Sequence, residues 1–155
     1  MRRRLRAFVK RNDRPALITG GAGFIGTNLA SRLLDAGRRV RIFDDLSRAG
    51  VENNLRWVCD TYGDRVEAII ADVRDSTALG RAVAGVGEVY HLAAQVAVTS
   101  SLDNPLHDFS VNAGGTLNLL EQLRALPERP PLIFTSTNKV YGDLDDVELM
   151  PEGDR

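Results

Sequence analysis

The feature that most constrains the fold is a glycine-rich segment that joins a short apolar run to an amphipathic one. Residues 19–26 read Thr-Gly-Gly-Ala-Gly-Phe-Ile-Gly and directly follow the apolar residues that begin at Ala16. A pyrophosphate approaches a backbone closely only where side chains are absent, and a helix N-terminus offers it free N–H groups. Gly20 then makes the turn, Gly23 permits the close approach, and Gly26 lets the helix pack against the strand. The segment predicts a nucleotide-binding βαβ unit, with a glycine turn in an ordinary α/β protein as the alternative.

An acidic residue, Asp44, occupies the position at which a nucleotide-binding βαβ unit contacts the adenosine ribose. Asp44 ends the second predicted strand, 18 residues after Gly26 and 24 after Gly20. A carboxylate at this place accepts hydrogen bonds from the adenosine ribose and repels a 2′-phosphate. The sequence therefore predicts dinucleotide binding with NAD as the cofactor, and Arg48 leaves NADP as the less favoured alternative. The neighbours of these residues complete the first group of cofactor-binding candidates: Phe24, Ile25 and Asp45.

Apolar runs of two lengths alternate along the rest of the chain. Short runs rich in branched residues predict strands at 16–19, 40–43, 66–71, 88–92 and 132–135. Longer amphipathic runs predict helices at 24–36, 51–62, 77–84 and 105–126. Strands that alternate with helices imply a parallel sheet covered on both faces. We expect an α/β fold, a Rossmann-type doubly wound parallel sheet of five strands in the order 3-2-1-4-5.

Helix ends and helix faces give further predictions. Ser76 is the expected cap of the third helix, and Asn104 followed by Pro105 is the expected start of the last one. In the first helix, Ile25, Leu29, Leu33 and Leu34 stand at near-helical spacing. In the last helix the apolar residues predict broad burial, at Phe109, Val111, Leu117, Leu119, Leu120 and Leu123.

Charge divides the chain into two parts. Seven of its 20 basic residues but one of its 21 acidic residues lie in the first 14 positions, which leaves residues 15–155 with a net charge of −7. We interpret residues 1–14 as a solvated basic extension without a nucleic-acid role. Residues 15–155 form the predicted dinucleotide-binding domain. A segment of this length is sufficient for one hydrophobic core.

Composition excludes several other classes of protein. With 43% hydrophobic and 26% charged residues the chain is ordinary for a globular domain, and no apolar run reaches the roughly 20 residues of a membrane span. The single cysteine, Cys59, predicts a packed helix thiol in a reducing cytoplasm. The two histidines, His91 and His107, have no ligand partners at suitable spacing, so no metal site is expected.

Three later segments, together with the loop and its acid, carry a family resemblance. They read Ala-Asp-Val-Arg-Asp at 71–75, Tyr-His-Leu-Ala-Ala-Gln at 90–95, and Phe-Thr-Ser-Thr-Asn-Lys-Val-Tyr-Gly at 134–142. Over residues 16–142 the chain resembles the extended short-chain dehydrogenases/reductases, specifically the NAD-dependent epimerases and dehydratases of nucleotide sugars.

The resemblance implies roles for individual residues. Asp72 resembles the carboxylate that takes the adenine amino group, and Val73 resembles the adjacent contact. Asn112 resembles a helix asparagine that approaches the cofactor from the other side. The end of the fourth strand implies pyrophosphate and ribose neighbours at Leu92, Ala93 and Ala94.

The third segment resembles the family's catalytic one. Thr137 matches the catalytic Ser/Thr, whose hydroxyl hydrogen-bonds the reacting sugar oxygen. The family's 4,6-dehydratases typically carry an Asp-Glu pair after this threonine, and Asn138 and Lys139 stand there instead, so dehydration is disfavoured. Thr-Asn-Lys-Val-Tyr-Gly is similar to the CDP-paratose 2-epimerase subgroup, with UDP-glucose 4-epimerases as the alternative. The implied reaction is epimerisation by transient oxidation of a sugar carbon.

Part of the family's pattern is not in this sequence. Family catalysis uses Tyr-x-x-x-Lys, and the residues four positions after Tyr62, Tyr90 and Tyr141 are Val, Ala and Asp. No segment matches the family's substrate domain, so the resemblance covers an N-terminal half. For the complete enzyme it implies a nucleotide-sugar substrate and a homo-oligomer formed through the helix at 105–126, without nucleic-acid or membrane partners. A non-catalytic dinucleotide-binding module is the remaining alternative.

Overall fold

The computed structural model describes residues 13–96, 98–137 and 140. Its strands are β1 Ala16–Thr19, β2 Val40–Asp44, β3 Val66–Ile70, β4 Glu88–His91 and β5 Leu132–Phe134. They form one five-stranded sheet in the order β3-β2-β1-β4-β5, and every pairing within it is parallel. The predicted doubly wound sheet and its strand order are confirmed. The segment of the basic extension at 1–12 lies outside the described residues.

The helices agree with the predicted pattern except in the last third of the chain. They are α1 Phe24–Asp35, α2 Val51–Tyr62, α3 Ser76–Val83, α4 Val98–Asp103, α5 Pro105–Phe109 and α6 Gly115–Arg124, and a short 3₁₀ helix at Gly63–Arg65 follows α2. The predicted long helix at 105–126 forms as an uninterrupted helical run from Pro105 to Arg124, but it contains a π-helical turn at Ser110–Gly114, between α5 and α6, that was not predicted. Helix α4 was not predicted.

The helix caps follow ordinary side-chain chemistry. Asn104 caps α5 by accepting from the His107 N–H at 3.1 Å, and Pro105 begins that helix as predicted. The predicted Ser76 cap is wrong by one position. Asp75 caps α3, and its carboxylate accepts from the N–H groups of Thr77 and Ala78.

The sheet separates two apolar clusters. Because side chains alternate along a strand, neighbouring residues of β1 and β2 enter different clusters. Leu17 and Phe43 pack with residues of α3 and α6 on one face. Ile18 and Ile42 pack with residues of α1 and α2 on the other. This arrangement buries the middle of the sheet on both faces and leaves its carboxyl edge as the place where loops converge.

The prediction of broad burial in the last helix is wrong in part, and the first helix also exposes one of its apolar residues. Ile25 is 64% exposed because it lies in the first turn of α1, beyond the sheet edge, whereas Leu34 is buried. In α6 only the face toward the sheet is covered, with Leu119 and Leu123 buried. The outer face of α5 and α6 exposes Leu106, Phe109, Leu117 and Leu120. None of the helices in the described ranges has the length and apolar character that crossing a bilayer requires.

Candidate functional site

The glycine loop packs tightly against the end of β4. Gly20 has φ +68°, and a Cβ there would lie 2.7 Å from the Ala93 backbone nitrogen. A Cβ at Gly26 would lie 2.3 Å from the carbonyl oxygen of Gly20. Both neighbours are backbone atoms, so a larger residue requires the chain itself to move. Gly21 was given no role by sequence reasoning, yet a Cβ there would lie 2.8 Å from the Ile42 side chain.

Helix α1 begins without a side-chain cap, at Gly23. The first N–H groups of any helix lack intrahelical partners, and in α3 and α5 the side chains of Asp75 and Asn104 satisfy some of them. In α1 no side chain makes a capping hydrogen bond to these donors, because the residue at the cap position is Gly23 of the glycine loop. This arrangement fits a pyrophosphate, whose oxygens accept from such donors and interact favourably with the helix dipole.

The Asp44 carboxylate is held by backbone amides at the end of β2. One oxygen, Oδ2, accepts from the Ala22 N–H at 3.0 Å, and Oδ1 accepts from the Leu46 N–H at 2.9 Å. The carbonyl of the same residue, Ala22, accepts from the Asn54 side-chain amide at 2.9 Å. A carboxylate oxygen accepts more than one hydrogen bond, so Asp44 retains capacity for ribose hydroxyls. Asn54 carries no sequence signal that identifies it.

A second carboxylate lies after β3. Asp72 pairs with Arg74, whose Nη2 lies 2.5 Å from Oδ2, and these side-chain hydrogen bonds hold the pKa of the Asp72 carboxyl below its usual value. Helix α6 fixes the adjacent residue, because Asn118 donates to the Val73 carbonyl at 2.7 Å. A Cβ at Gly115 would lie 2.6 Å from Val73 Cγ2. The segment therefore has a defined shape without any ligand.

His91 ends β4 and is 1% exposed. Its Nδ1 lies 2.6 Å from Thr19 Oγ1, and its Nε2 lies 3.0 Å from Thr116 Oγ1. Burial lowers the pKa of His91 to about 4 from the ordinary value of 6.5. The histidine is therefore neutral at physiological pH. Among the described residues, no cluster of three or more His, Cys, Asp and Glu side chains is suited to a metal ion.

This buried histidine predicts a pH-dependent stability. The unfolded chain takes up the His91 proton below about pH 6.5 and the folded chain only near pH 4. The contribution of neutral His91 is therefore complete above pH 6.5 and is lost as the pH falls toward 4, with a slope of at most about 1.4 kcal/mol per pH unit. Urea unfolding at pH 7.5 and 5.5 measures the loss. His107→Gln, which removes the other histidine, is expected to show the same loss, and equal stability at the two pH values would contradict the prediction.

These elements surround one cavity of about 870 Å³. Every candidate site residue lines it: Gly20, Gly23, Phe24, Ile25, Gly26, Asp44, Asp45, Asp72, Val73, Leu92, Ala93, Ala94, Asn112 and Thr137. Arg48 also lines it, at the end where Asp44 lies. Lining residues that sequence reasoning missed include Ser47, Thr116, Phe134, Thr135 and Ser136. The volume is within the usual range for small-molecule sites.

Asn112 differs from the other cavity-lining residues in how its side chain is used. Asn112 lines the cavity, but its amide is engaged with the backbone of Gln95, at 2.8 Å to the N–H and 3.0 Å to the carbonyl, and with Asp108. It therefore shapes the cavity wall through Gln95. Asn138 and Lys139 lie outside the described residues.

Comparisons with known proteins agree with this geometry. A family model described as GDP-mannose 4,6 dehydratase matches residues 17–153. CDP-paratose 2-epimerase of Salmonella typhi is 47% identical over 131 residues, which are 83% of this chain and 38% of that protein. UDP-glucose 4-epimerase of Mycolicibacterium smegmatis is 40% identical over 127 residues, covering 81% of this chain and 40% of that protein. The chain thus spans about two fifths of the length of these relatives.

A solved structure extends the likeness to three dimensions. UDP-glucose-4-epimerase from Stenotrophomonas maltophila, determined with bound NAD and formylated UDP-arabinopyranose, superposes with a TM-score of 0.74 at 30% identity. The match covers 85% of this chain and 39% of that one. The family resemblance found in the sequence is confirmed. The chain belongs to the family whose model is described as GDP-mannose 4,6 dehydratase, the nucleotide-sugar epimerases and dehydratases among the short-chain dehydrogenases/reductases.

Proposed function

We propose that the chain is the NAD-binding portion of a nucleotide-sugar epimerase. The observation that carries the proposal is that all candidate cofactor residues and Thr137 line one cavity at the carboxyl edge of the sheet. A solved relative with NAD in its structure supports the choice of cofactor. The single cysteine fits a cytoplasmic setting.

The chain's own groups provide a place for each part of a dinucleotide. The uncapped N-terminus of α1 receives the pyrophosphate. Asp44, oriented by its two backbone amides, accepts from the adenosine ribose. Asp72 and Val73 would hold the adenine, and residues 92–94, which line the same cavity, would adjoin the pyrophosphate and nicotinamide ribose.

Thr137 is the chain's candidate for chemistry at the sugar. Bound NAD supplies the hydride acceptor and donor for a sugar carbon. The Thr137 hydroxyl, after β5 and on the wall of the same cavity, orients the sugar oxygen and shares its proton as that oxygen changes between alcohol and ketone. Abstraction of that proton belongs to the family's tyrosine and lysine, and no Tyr-x-x-x-Lys occurs in residues 1–155.

The favoured substrate is a CDP-linked deoxysugar, epimerised at carbon 2. Asn138 and Lys139 stand where dehydratases carry their acidic pair, which argues against loss of water although the family model is described by a dehydratase. Identity to CDP-paratose 2-epimerase, 47%, exceeds identity to UDP-glucose 4-epimerase, 40%. The UDP-glucose 4-epimerase reaction is the second candidate, and a non-catalytic dinucleotide-binding module is the third.

Asp44→Ala tests the cofactor assignment. Loss of a charged hydrogen bond to the ribose is expected to weaken NAD binding by about 1.5–3 kcal/mol and NADP binding less, because the carboxylate repels a 2′-phosphate. Calorimetric titration of both dinucleotides into wild type and variant measures this. Asp60→Ala is the matched control, since it removes an exposed carboxylate of α2 that does not line the cavity, and NAD affinity is expected to stay unchanged. Equal losses for NAD and NADP in Asp44→Ala would contradict the assignment.

Self-association is proposed through the outer face of α5 and α6. Leu106, Phe109, Leu117 and Leu120 are 82%, 70%, 61% and 43% exposed there. Contiguous exposed apolar patches commonly mark protein interfaces. We expect a dimer by light scattering that Leu106→Asp shifts toward monomer, while Leu102→Asp on α4 has a smaller effect. A wild-type monomer at tens of micromolar would contradict the proposal.

A further inference from the structure

The buried ring of His91 does not line the cavity that the proposed function uses, although two residues that it contacts, Thr116 and Phe134, do. Its two nitrogens instead join β1, through Thr19, to α6, through Thr116. The ring also packs on Phe134 of β5, with centroids 5.8 Å apart. Three elements, β1, α6 and β5, therefore contact one another through a buried polar ring.

The hydrogen bonds around His91 have one consistent direction. The Thr116 hydroxyl donates its only proton to the Asn112 carbonyl, at 2.6 Å. It must therefore accept from His91, so the imidazole carries its proton on Nε2. Nδ1 is then an acceptor and takes the proton of the Thr19 hydroxyl, while Thr19 Oγ1 accepts from the Ala93 N–H at 3.3 Å. The opposite tautomer leaves two oxygens, on Thr116 and Asn112, facing each other at 2.6 Å without a proton between them.

The two ends of this chain of bonds lie on Ala93 and Gln95, within the irregular segment 92–96 that follows β4. At one end, Thr19 holds the Ala93 N–H. At the other end, the Asn112 side chain holds both backbone groups of Gln95. The segment lines the cavity, and a Cβ at Gly20 would lie 2.7 Å from Ala93 N, so the segment and the Gly20 turn together border the place proposed for the pyrophosphate.

We propose that His91, as the neutral Nε2–H tautomer, is a positioning residue that sets residues 92–96 for the pyrophosphate and nicotinamide half of the dinucleotide. The inference rests on the proposed NAD function. The adenosine half depends on Asp44, Asp72 and Val73, which the chain of bonds does not reach. Loss of the His91 contacts is therefore expected to weaken binding of the pyrophosphate and nicotinamide half and not of the adenosine half. A general loss of stability would weaken binding of both halves.

Two measurements test the proposal. The first is the ¹⁵N spectrum of the imidazole in the wild-type chain at neutral pH without ligand, in which we expect a protonated Nε2 and an unprotonated Nδ1. The second is calorimetric titration of NAD and of AMP into wild type, Thr116→Val and Thr116→Ser. Thr116→Val keeps the side-chain shape but removes the acceptor for His91, and we expect NAD to bind about tenfold more weakly while AMP binds as before. Thr116→Ser keeps the hydroxyl, and we expect NAD affinity to return.

The outcomes distinguish failure of the positioning role from failure of the proposed function. If wild type binds NAD and Thr116→Val binds it equally well, the positioning role is wrong and the proposed function stands. A proton on Nδ1, or equal weakening of NAD and AMP, overturns the positioning role as well. If wild type binds neither NAD nor AMP, the proposed function fails and the positioning role fails with it.

Discussion

Replacement of Thr137 by alanine is expected to lower kcat by about 10²–10⁴-fold, the usual contribution of general acid–base assistance. The test requires a chain extended past Arg155 to include a Tyr-x-x-x-Lys pair. NAD affinity is expected to stay nearly unchanged, because the glycine loop and Asp44 lie at other parts of the cavity wall. Thr137→Ser is the matched control and is expected to retain most activity, since it keeps the hydroxyl.

The assay follows sugar proton couplings by NMR, with CDP-tyvelose or CDP-paratose in one sample and UDP-glucose in another. Inversion at carbon 2 of the CDP-sugar is the expected reaction. Inversion at carbon 4 of UDP-glucose alone would overturn the choice of substrate and leave the epimerase proposal standing. A 4-keto-6-deoxy product would show that Asn138 and Lys139 do not prevent dehydration. Equal kcat for Thr137→Ala and wild type would remove the threonine from the mechanism.

Gly20→Ala is expected to lower the free energy of unfolding by about 2–5 kcal/mol. A left-handed backbone costs a residue with a Cβ about 1–2 kcal/mol. The new methyl group would also meet the Ala93 backbone nitrogen at 2.7 Å, and overpacking of this kind costs about 1–3 kcal/mol more. Urea unfolding measures the loss. NAD binding is expected to weaken too, because the methyl group displaces either the loop or residues 92–96.

Gly37→Ala provides the control for backbone conformation. Gly37 has φ +78°, close to the +68° of Gly20, and a Cβ there would meet no atom within 4 Å. The added side chain changes the unfolded chain in the same way at both positions, so the difference between the variants isolates the contact with β4. We expect Gly37→Ala to cost only about 1–2 kcal/mol and to leave NAD affinity unchanged. A loss at Gly37 equal to that at Gly20 would show that the close contact contributes nothing.

The strand order and the glycine loop were predictable because local signals determine them. Branched apolar runs and Gly-rich turns are short-range patterns, and parallel connections permit few arrangements. Asp44 was predictable as a site residue for the same reason, since its distance from the loop along the chain is characteristic of a βαβ unit. The position of Asp44 in the sequence does not indicate that its carboxylate accepts a hydrogen bond from the Ala22 N–H. Through this bond Asp44 also supports the glycine loop.

The features that sequence reasoning missed depend on contacts between distant segments. The helical periodicity of 105–126 continues through Ser110–Gly114, so nothing local distinguishes a π turn from an α-helical one. That turn contains Asn112, whose amide is used on Gln95, 17 residues away. His91 was similarly interpreted only by exclusion, as a residue without metal partners, because Thr19 and Thr116 come near it only in the folded chain.

Titration of the isotope-labelled chain with NAD, followed by ¹H–¹⁵N amide spectra, tests the central claim most directly. We expect the amides of Gly20–Gly26, Leu46, Val73 and residues 92–95 to shift together and to saturate with a single dissociation constant, because all belong to or directly adjoin one cavity. The amides of Gly37 and Gly63, at distant turns, are expected to stay in place. Absence of shifts at the glycine loop when NAD is added in millimolar excess, or shifts confined to other parts of the chain, would contradict the account.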